Sequence, residues 1–242
     1  MSPALVSLVQ ARMSSSRLPG KVLLPLGDGT VLDQVLRRAA AFSGQVAVCT
    51  SGEPDDDAIE AHCQKVGALC LRGSRDDVFA RFRAALRDPR VQESGFFARI
   101  TADCPLLSVP LARRLVEEAA AHPELDYLCF RLERLPRGLP VELVRRAAFL
   151  ALDPAALDGP QREHVTLALY EQPARHRCRR LDPPDALRHP ELRLTLDYPE
   201  DYTLMRLLFE DPDVTAESAV ARMLRDPALP WLNARCAQRP AR

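Results

Sequence analysis

The chain has 242 residues, 47% of them apolar, and its 33 basic and 33 acidic residues give a formal net charge of zero. This length suffices for a substantial buried core, and the balanced charge favours neither nucleic acid nor an anionic membrane, so the expected partner is a small molecule. No apolar run approaches the roughly 20 residues of a membrane-spanning helix. Seven cysteines without a Cys-x-x-Cys pair or a signal peptide predict free thiols in a reducing cytoplasm rather than disulfides or a zinc site.

A short apolar run at residues 4–9 predicts a buried parallel strand, and a polar loop follows it directly. The loop contains three serines, Arg12, Arg17, a Pro-Gly pair and Lys21. Hydroxyls, backbone amides and cations together suit the oxygens of a polyphosphate, and ligands of open α/β sheets bind beyond the carboxyl ends of strands. Lys21 is distinctive because Lys65 is the only other lysine, and an ammonium is a point charge that fits between two phosphates. A solvated basic loop is the alternative interpretation, and the Walker and dinucleotide glycine patterns are absent.

The next stretch of the chain alternates between predicted helices and strands. Helices are predicted at 31–42, 55–66 and 73–87, and strands at 45–50, 68–71 and 96–101. This alternation indicates an α/β fold with a mostly parallel central sheet, right-handed crossovers and flanking helices. Thr30 is placed to cap the first of these helices and Ser74 the third.

The strand at 96–101 ends in Ala102-Asp103-Cys104-Pro105. A carboxylate at the carboxyl end of a central strand is well placed to meet a metal ion and phosphates, although an Asp at this point also suits an ordinary turn. Cys104 is not interpreted as a nucleophile, because no histidine or asparagine partner is indicated for its thiol.

The second half of the chain begins with a predicted helix at 108–121 and a predicted strand at 126–130. Residues 131–140 are polar, with three arginines and two prolines, and predict an exposed loop or flap near the site. Helices are predicted at 144–152 and 162–170, and an edge strand with a loop at 175–190.

Residues 192–196 alternate like a half-buried strand and lead into Asp197, a second acidic strand end. Pro199 with the two acidic residues after it favours a helix at 199–209, and helix capping is the alternative role for Asp197. A helix at 215–224 precedes a proline- and arginine-rich tail. The whole chain, 1–242, is expected to be one domain with a flap or substrate region at about 131–190 and a helical tail at about 212–242.

Separated segments of the sequence resemble the cytidylyltransferases that activate acidic sugars, namely the CMP-Kdo and CMP-sialate synthetases and, closest, their spore-coat polysaccharide (SpsF-like) branch. In family order they are Gln-Ala-Arg-Met-Ser-Ser-Ser-Arg-Leu-Pro-Gly-Lys at 10–21, the acidic strand end at Asp103, Arg-Glu-His-Val-Thr at 162–166 and Asp-Tyr-Pro-Glu-Asp at 197–201. Residues 137–142 also resemble the branch, except that Pro140 stands where the branch has Asp. The resemblance implies a nucleotide-diphospho-sugar transferase (GT-A-like) fold.

The resemblance further implies roles for individual residues. The residues expected to bind CTP are Ala11, Arg12, Ser15, Arg17, Lys21 and Ser74. Asp103 and Asp197 are expected to hold Mg²⁺, and with Arg12 and Lys21 they form the expected catalytic set. The substrate-binding candidates are Arg137, Glu142, Arg162 and His164, and relatives suggest a homodimer.

The expected reaction is attack by the anomeric hydroxyl of an acidic sugar on the α-phosphate of CTP, with release of pyrophosphate. It requires folding to bring Asp103 and Asp197 to face Lys21 across one cleft. Two other functions stay open: a GT-A glycosyltransferase that consumes a nucleotide-sugar, and a non-catalytic nucleotide-binding subunit. A glycosyltransferase would normally carry an Asp-x-Asp metal motif, which the Ala102-Asp103 strand end lacks.

Overall fold

The computed structural model describes residues 5–236 and centres on a seven-stranded sheet. The strands in chain order are β1 (Leu5–Gln10), the hairpin strands β2 (Pro25–Leu26) and β3 (Gly29–Thr30), β4 (Gln45–Ser51), β5 (Leu69–Gly73), β6 (Phe96–Thr101), β7 (Tyr127–Phe130), β8 (Glu142–Arg145) and β9 (Cys178–Leu181). The spatial order is β5-β4-β1-β6-β8-β7-β9, and only β8 runs antiparallel to its neighbours in this sheet. The predicted α/β class with a mostly parallel sheet is confirmed.

Helices cover both faces of the sheet. They are α1 (Val31–Ala40), α2 (Asp57–Val66), α3 (Val78–Ala85), α4 (Val109–Ala121), α5 (Arg146–Ala151), α6 (Gly159–Glu163), α7 (Leu167–Tyr170), α8 (Pro199–Leu208), α9 (Ala216–Arg225) and α10 (Ala228–Trp231). One apolar core packs α1, α2, α4, α8 and α9 against the sheet, and the other packs α3, α5 and α7 against the opposite face. This two-sided covering explains why the central strands are mostly apolar on both of their faces.

Apart from the start of the helix predicted at 73–87 and the short β2–β3 hairpin, which was not predicted, the regular elements of the first half agree with the sequence predictions. The predicted strand at 4–9 is β1, although residue 4 and the tail residues 237–242 lie outside the described residues. Thr30 caps α1, since its hydroxyl accepts a hydrogen bond from the Asp33 amide at 3.2 Å. Ser108 caps α4 in the same way, with 3.3 Å to the Leu111 amide.

The predicted helix at 144–152 is wrong at its start. Val144 belongs to β8, which pairs with both β6 and β7, and α5 begins only at Arg146. The apolar residues of this segment fit a helix or a strand equally well, and pairing with two neighbouring strands decides for the strand.

The predicted strand at 192–196 is also wrong, because this segment makes only an isolated bridge between Arg193 and Arg137. It is fully buried instead of half-buried. Residues 131–140 pack over this segment. Their second half is therefore buried or half-buried and is not the exposed loop that was predicted. Gly138 has a φ of 104°, and a Cβ there would lie 2.3 Å from the carbonyl oxygen of Leu194, so the close approach of the two segments requires glycine.

Two further helix predictions need correction. The predicted helix at 162–170 is two short helices, α6 and α7, separated around Val165, whose φ is 23°. The helix predicted at 73–87 begins at Val78, and its cap is Asp77 rather than Ser74. The Asp77 carboxylate accepts from the Ala80 amide at 2.8 Å, while the Ser74 hydroxyl accepts from the Asp77 amide one turn earlier.

All seven cysteines fall within the described residues and are free thiols, as predicted. Across 5–236, none of the helices has the length and apolar character needed to cross a bilayer.

Candidate active site

Lys21 lies at the centre of a charged cluster at the carboxyl ends of β1 and β6. The polar loop leaves β1 after Gln10, and Gly20, with a φ of 69°, turns the chain into a 3-10 turn at Lys21–Leu23. Lys21 is only 7% exposed. A buried ammonium needs anionic partners, so the surroundings of Lys21 define the site.

Asp103 and Asp197 supply those partners. The Lys21 Nζ lies 2.6 Å from Asp103 Oδ2 and 2.9 Å from Asp197 Oδ1. The backbone holds the two acids together, because the Leu196 amide donates to the Asp103 carbonyl at 2.8 Å. The prediction that these two acids face Lys21 is confirmed, although 176 positions separate Lys21 from Asp197.

The cluster is ionised. Burial alone would lower the pKa of Lys21, but Asp103 and Asp197 outweigh it and the pKa of Lys21 is raised. Burial alone would raise the pKa of both acids, yet Lys21 keeps the pKa of Asp103 below its usual value, and Lys21, Arg17 and Arg193 together hold the pKa of Asp197 at about 2. Two carboxylates and an ammonium are therefore all charged at neutral pH.

Arg17 extends the cluster from the loop. Its guanidinium lies 3.1 Å from Asp197 Oδ1 and 4.5 Å from the centre of the Tyr198 ring. The contact with the aromatic face holds the planar guanidinium beside the acid. Lys21 and Arg17 thus share one oxygen of Asp197.

The other predicted nucleotide-binding residues surround this cluster or border the same sheet edge. Ala11 is buried and its amide donates to the Cys49 carbonyl, which continues the pairing of β1 with β4. Arg12 is exposed at the start of the loop. Ser15 is half-buried and accepts from the Leu18 amide, while Ser74 is exposed after β5.

Asp56 fixes the loop and was missed by the sequence analysis. It lies in the 3-10 turn Pro54–Asp56 before α2, is 2% exposed, and accepts from the Met13 amide at 2.7 Å. The amide and hydroxyl of Ser51, the last residue of β4, donate to the same carboxylate. The Met13 carbonyl in turn accepts from the amides of Ser15 and Gly20. Asp56 therefore ties the centre of the loop to the end of β4.

We expect Asp56→Ala to lower kcat/KM for CTP by up to about 10²-fold, because loss of this anchor lets the loop shift relative to the acids. Steady-state kinetics with varied CTP measure the effect. The matched control is Asp57→Ala, since the neighbouring Asp57 side chain is 65% exposed and pairs with Arg72 instead of the loop. Equal kinetics for the two variants would show that the anchor is unimportant.

Of the four substrate-binding candidates, Glu142 has the clearest link to the cluster. It is 9% exposed on β8, and accepts from the Tyr127 hydroxyl, from Thr166 at 3.0 Å and from Arg99 at 2.9 Å. Arg99 also donates to the side chain of Gln10, the last residue of β1, at 3.2 Å. This row of polar groups crosses from β7 to the start of the loop.

The other three candidates lie on neighbouring segments. Arg137 is half-buried, and its backbone pairs with the segment that leads to Asp197. Arg162 forms an ion pair with Asp77 at the start of α3 and also donates to the carbonyl of Pro154. His164 is half-buried and ends α6.

Cys104 is adjacent to Asp103 but is not a competent nucleophile. Burial, with Asp103 next in importance, raises the pKa of its thiol to about 12, so the thiolate is essentially absent at neutral pH. We expect Cys104→Ser to keep roughly the wild-type kcat for pyrophosphate release, and a covalent role would be indicated by its loss. Thermal unfolding of the same variant separates a catalytic defect from a folding defect.

Comparison with known proteins shows the family of this chain. A family model described as cytidylyltransferase matches residues 6–220, a range that includes Lys21, Asp103 and Asp197. The chain belongs to the cytidylyltransferase family.

The relatives of this cytidylyltransferase match it over most of its length. It is 33% identical over 231 residues to the spore coat polysaccharide biosynthesis protein SpsF of Bacillus subtilis (strain 168), covering 91% of this chain and 94% of SpsF. It is 31% identical over 198 residues to a 3-deoxy-manno-octulosonate cytidylyltransferase of Rhodopseudomonas palustris (strain BisB5), covering 75% and 80% of the two chains. The structure matches that of a cytidylyltransferase from Leptospira borgpetersenii with a TM-score of 0.82 and 25% identity, over 94% and 96% of the two chains. The predicted family and GT-A-like fold are confirmed.

The acids of this cytidylyltransferase suit a divalent cation. Asp103 and Asp197 offer carboxylate oxygens, the donors that Mg²⁺ and Mn²⁺ prefer, and both already converge on one cationic centre. The Asp103 side chain is 25% exposed, so the pair is open on one side. Since residues 5–236 contain no group of three or more His, Cys, Asp or Glu side chains that could hold a metal, water or phosphate oxygens would complete its coordination.

Proposed function

We propose that this cytidylyltransferase transfers CMP from CTP to an acidic sugar of the ulosonic type and releases pyrophosphate. The proposal rests above all on the position of Lys21 between Asp103 and Asp197 at the carboxyl edge of the sheet. Phosphoryl-type transfer is catalysed mainly by positioning and charge stabilisation, which such a cluster beside a cationic loop supplies. The family membership supports the use of CTP.

In this proposal the loop binds the triphosphate, and the two acids hold the metal ion. Arg12, Arg17 and Lys21 bind the triphosphate and offset the charge that develops on the leaving pyrophosphate, and Ser15 donates a hydrogen bond to it. Ala11 and Ser74 border the nucleotide. Lys21 and Arg17 both pair with Asp197 in the structure, so the triphosphate exchanges these ion pairs for contacts with its own oxygens.

The reaction forms one bond to phosphorus and breaks another, and the proton of the attacking hydroxyl passes to solvent. The anomeric hydroxyl of the acceptor attacks the α-phosphorus, and the bond from that phosphorus to the bridging oxygen of the pyrophosphate breaks. Asp103 and Asp197 would hold Mg²⁺, which supplies Lewis-acid polarisation of the phosphates and lowers the pKa of the attacking hydroxyl. No protein side chain is assigned as a general base.

The name of one relative supports an acidic acceptor, and the name of another supports a role in polysaccharide biosynthesis. One is called a 3-deoxy-manno-octulosonate cytidylyltransferase and the other a spore coat polysaccharide biosynthesis protein. Among the substrate-binding candidates, Arg137 and Arg162 carry the charge that a sugar carboxylate requires, and His164 offers a hydrogen bond to a hydroxyl. Glu142 would have to exchange one of its present contacts to bind a hydroxyl, since both of its carboxylate oxygens already accept hydrogen bonds. Arg162 would have to exchange its ion pair with Asp77. Pro140 stands where the SpsF-like branch has Asp, so the acceptor would differ from that of the branch if the Asp contacts the sugar there.

We further propose that the enzyme acts in the cytoplasm as a homodimer of one-domain chains. Free thiols and a CTP substrate suit that compartment.

A screen for pyrophosphate release tests the function. The protein is incubated with MgCl₂, each of the four nucleoside triphosphates and a panel of ulosonic acids, and we expect pyrophosphate only with CTP and an acid. A glycosyltransferase would instead consume a nucleotide-sugar, and a non-catalytic subunit would bind CTP and release nothing. Either result would contradict the proposal.

A further inference from the structure

A buried polar network lies directly behind Asp197 and reaches the C-terminal segment of the chain. We infer that Asn233 is a positioning residue that acts through Asp201 and Arg193 to hold the carboxylate of Asp197 in place. Asn233 lies beyond residues 6–220, the range matched by the family model. The inference rests on the proposed role of Asp197 in holding a divalent cation.

Arg193 makes the direct contact with Asp197. Its side chain is 4% exposed, and its Nη2 lies 2.8 Å from Asp197 Oδ2. Because Lys21 and Arg17 both contact Oδ1 of the same carboxylate, Arg193 alone holds the second oxygen among the contacts of the described residues. The orientation of the carboxylate therefore depends on where this guanidinium lies.

Asp201 determines the position of that guanidinium. It is fully buried, and accepts from Arg193 Nε at 2.8 Å and from Arg193 Nη2 at 3.0 Å. Its Oδ2 also accepts from the amides of Asp197 and Tyr198, at 2.9 and 3.0 Å. Asp201 thus fixes both the backbone of Asp197 and the cation that orients its side chain.

Asn233 is the last residue of this buried network. It is 4% exposed, and its Nδ2 donates to Asp201 Oδ1 at 2.9 Å and to the Arg193 carbonyl at 3.1 Å. Without this amide, Asp201 Oδ1 keeps Arg193 Nε as its one donor, and the Arg193 carbonyl loses the contact with Nδ2. Because unmet hydrogen-bonding capacity is costly in a buried site, the network would rearrange. Arg193 would shift with it, and the arrangement of Asp197 oxygens would be lost.

The segment that carries Asn233 offers a matched control. Leu229, on α10, is 6% exposed and packs into the core, whereas Trp231, at the end of the same helix, is 76% exposed. Trp231→Ala therefore changes the surface of the segment but leaves the amide of Asn233 in place. Asn233→Ser keeps one hydroxyl donor on a shorter side chain and gives a second variant beside Asn233→Ala.

The test is the affinity for Mn²⁺ alone, measured by the electron paramagnetic resonance signal of free Mn²⁺, in wild type and in variants whose folding is checked by thermal unfolding. We expect Asn233→Ala to weaken Mn²⁺ binding by about 10- to 100-fold, Asn233→Ser to weaken it less, and Trp231→Ala to leave it unchanged. Asp197→Asn should weaken binding more than Asn233→Ala. Adding Asn233→Ala to Asp197→Asn should then have no further effect, because the amide acts through that carboxylate.

The variants distinguish failure of the inference from failure of the proposed function. Suppose that Asp197→Asn weakens Mn²⁺ binding. The positioning role alone is then overturned by either of two results: both Asn233 variants bind Mn²⁺ like wild type, or Asn233→Ala weakens binding as much in the Asp197→Asn protein as it does in wild type. If Asp197→Asn itself binds Mn²⁺ like wild type, the metal role of Asp197 is wrong and the inference is overturned with it.

Discussion

Asp103→Asn is expected to lower the rate of pyrophosphate release by about 10³-fold or more, since a catalytic metal contributes several kcal/mol and each 1.36 kcal/mol is worth a factor of about ten. The asparagine has nearly the same shape but no charge with which to hold a cation or the Lys21 ammonium. The fold should be kept, because the Asp103 side chain is 25% exposed and Lys21 retains its contact with Asp197. Steady-state kinetics with CTP and the acid found in the screen measure the rate, and thermal unfolding measures the fold.

Asp76→Asn is the control for this variant. Its side chain is 96% exposed and pairs only loosely with Arg75 at 3.9 Å, so the same chemical change there should leave turnover unchanged. Turnover close to wild type in Asp103→Asn would refute the catalytic role of Asp103.

Lys21→Met is expected to lower kcat/KM for CTP by roughly 10²- to 10³-fold, the usual effect of removing one preorganised group that stabilises developing charge. It also leaves Asp103 and Asp197 without the cation between them. Breaking a buried ion pair by removing one partner usually lowers the free energy of unfolding by about 3–5 kcal/mol. The loss should be smaller here, because Arg17 and Arg193 still contact Asp197. Kinetics and chemical denaturation measure the two effects.

Two further variants define what Lys21 contributes. Lys65→Met removes the only other lysine of the chain, which is exposed in the last turn of α2, and should leave activity and stability unchanged. Lys21→Arg should not restore full activity, because a planar guanidinium does not fit the buried position between two carboxylates. Wild-type kinetics in Lys21→Met would show that the loop arginines suffice.

Lys21→Met should also change the pH at which the protein unfolds in acid. The pKa of Asp197 is about 2 in the folded chain and about 3.9 when unfolded, so its ion pairs stabilise the fold above about pH 4 and cease to do so as the pH falls towards 2. Lys21→Met removes one of the cations that depress this pKa. Acid unfolding of the variant should therefore begin at a higher pH than that of wild type, as followed by circular dichroism.

The meeting of Lys21, Asp103 and Asp197 could be predicted because each follows a stretch that approaches the same edge of the sheet. Parallel strands place their carboxyl ends together, so acids and cations after such strands converge without detailed knowledge of packing. The prediction held even though 192–196 is no strand, since backbone hydrogen bonds to Asp103 and to 131–140 bring this segment to the same edge.

The residues that hold this cluster in place could not be predicted. Asp201 was interpreted as an acidic residue at a helix start, and Asp56 received no role of its own because it fell within the helix predicted at 55–66. Both also accept hydrogen bonds from residues near them in the sequence, but the partners that tie them to distant segments are the Met13 amide, 43 positions from Asp56, and Asn233, 32 positions from Asp201. Such pairings arise from burial in the folded chain and leave no periodic signal in the sequence.

The sequence by itself determined the α/β class, because that class depends on local apolar periodicity. It singled out the loop and the three central charges through their residue chemistry and through the resemblance to the cytidylyltransferases. Only the tertiary structure decided that β8 is a strand, that 192–196 is covered by 131–140, and that Asp201 and Asn233 stand behind Asp197. The physical reason is that a short or wholly buried segment satisfies its backbone and polar groups with partners that are distant in the sequence, and those partners exist only after folding.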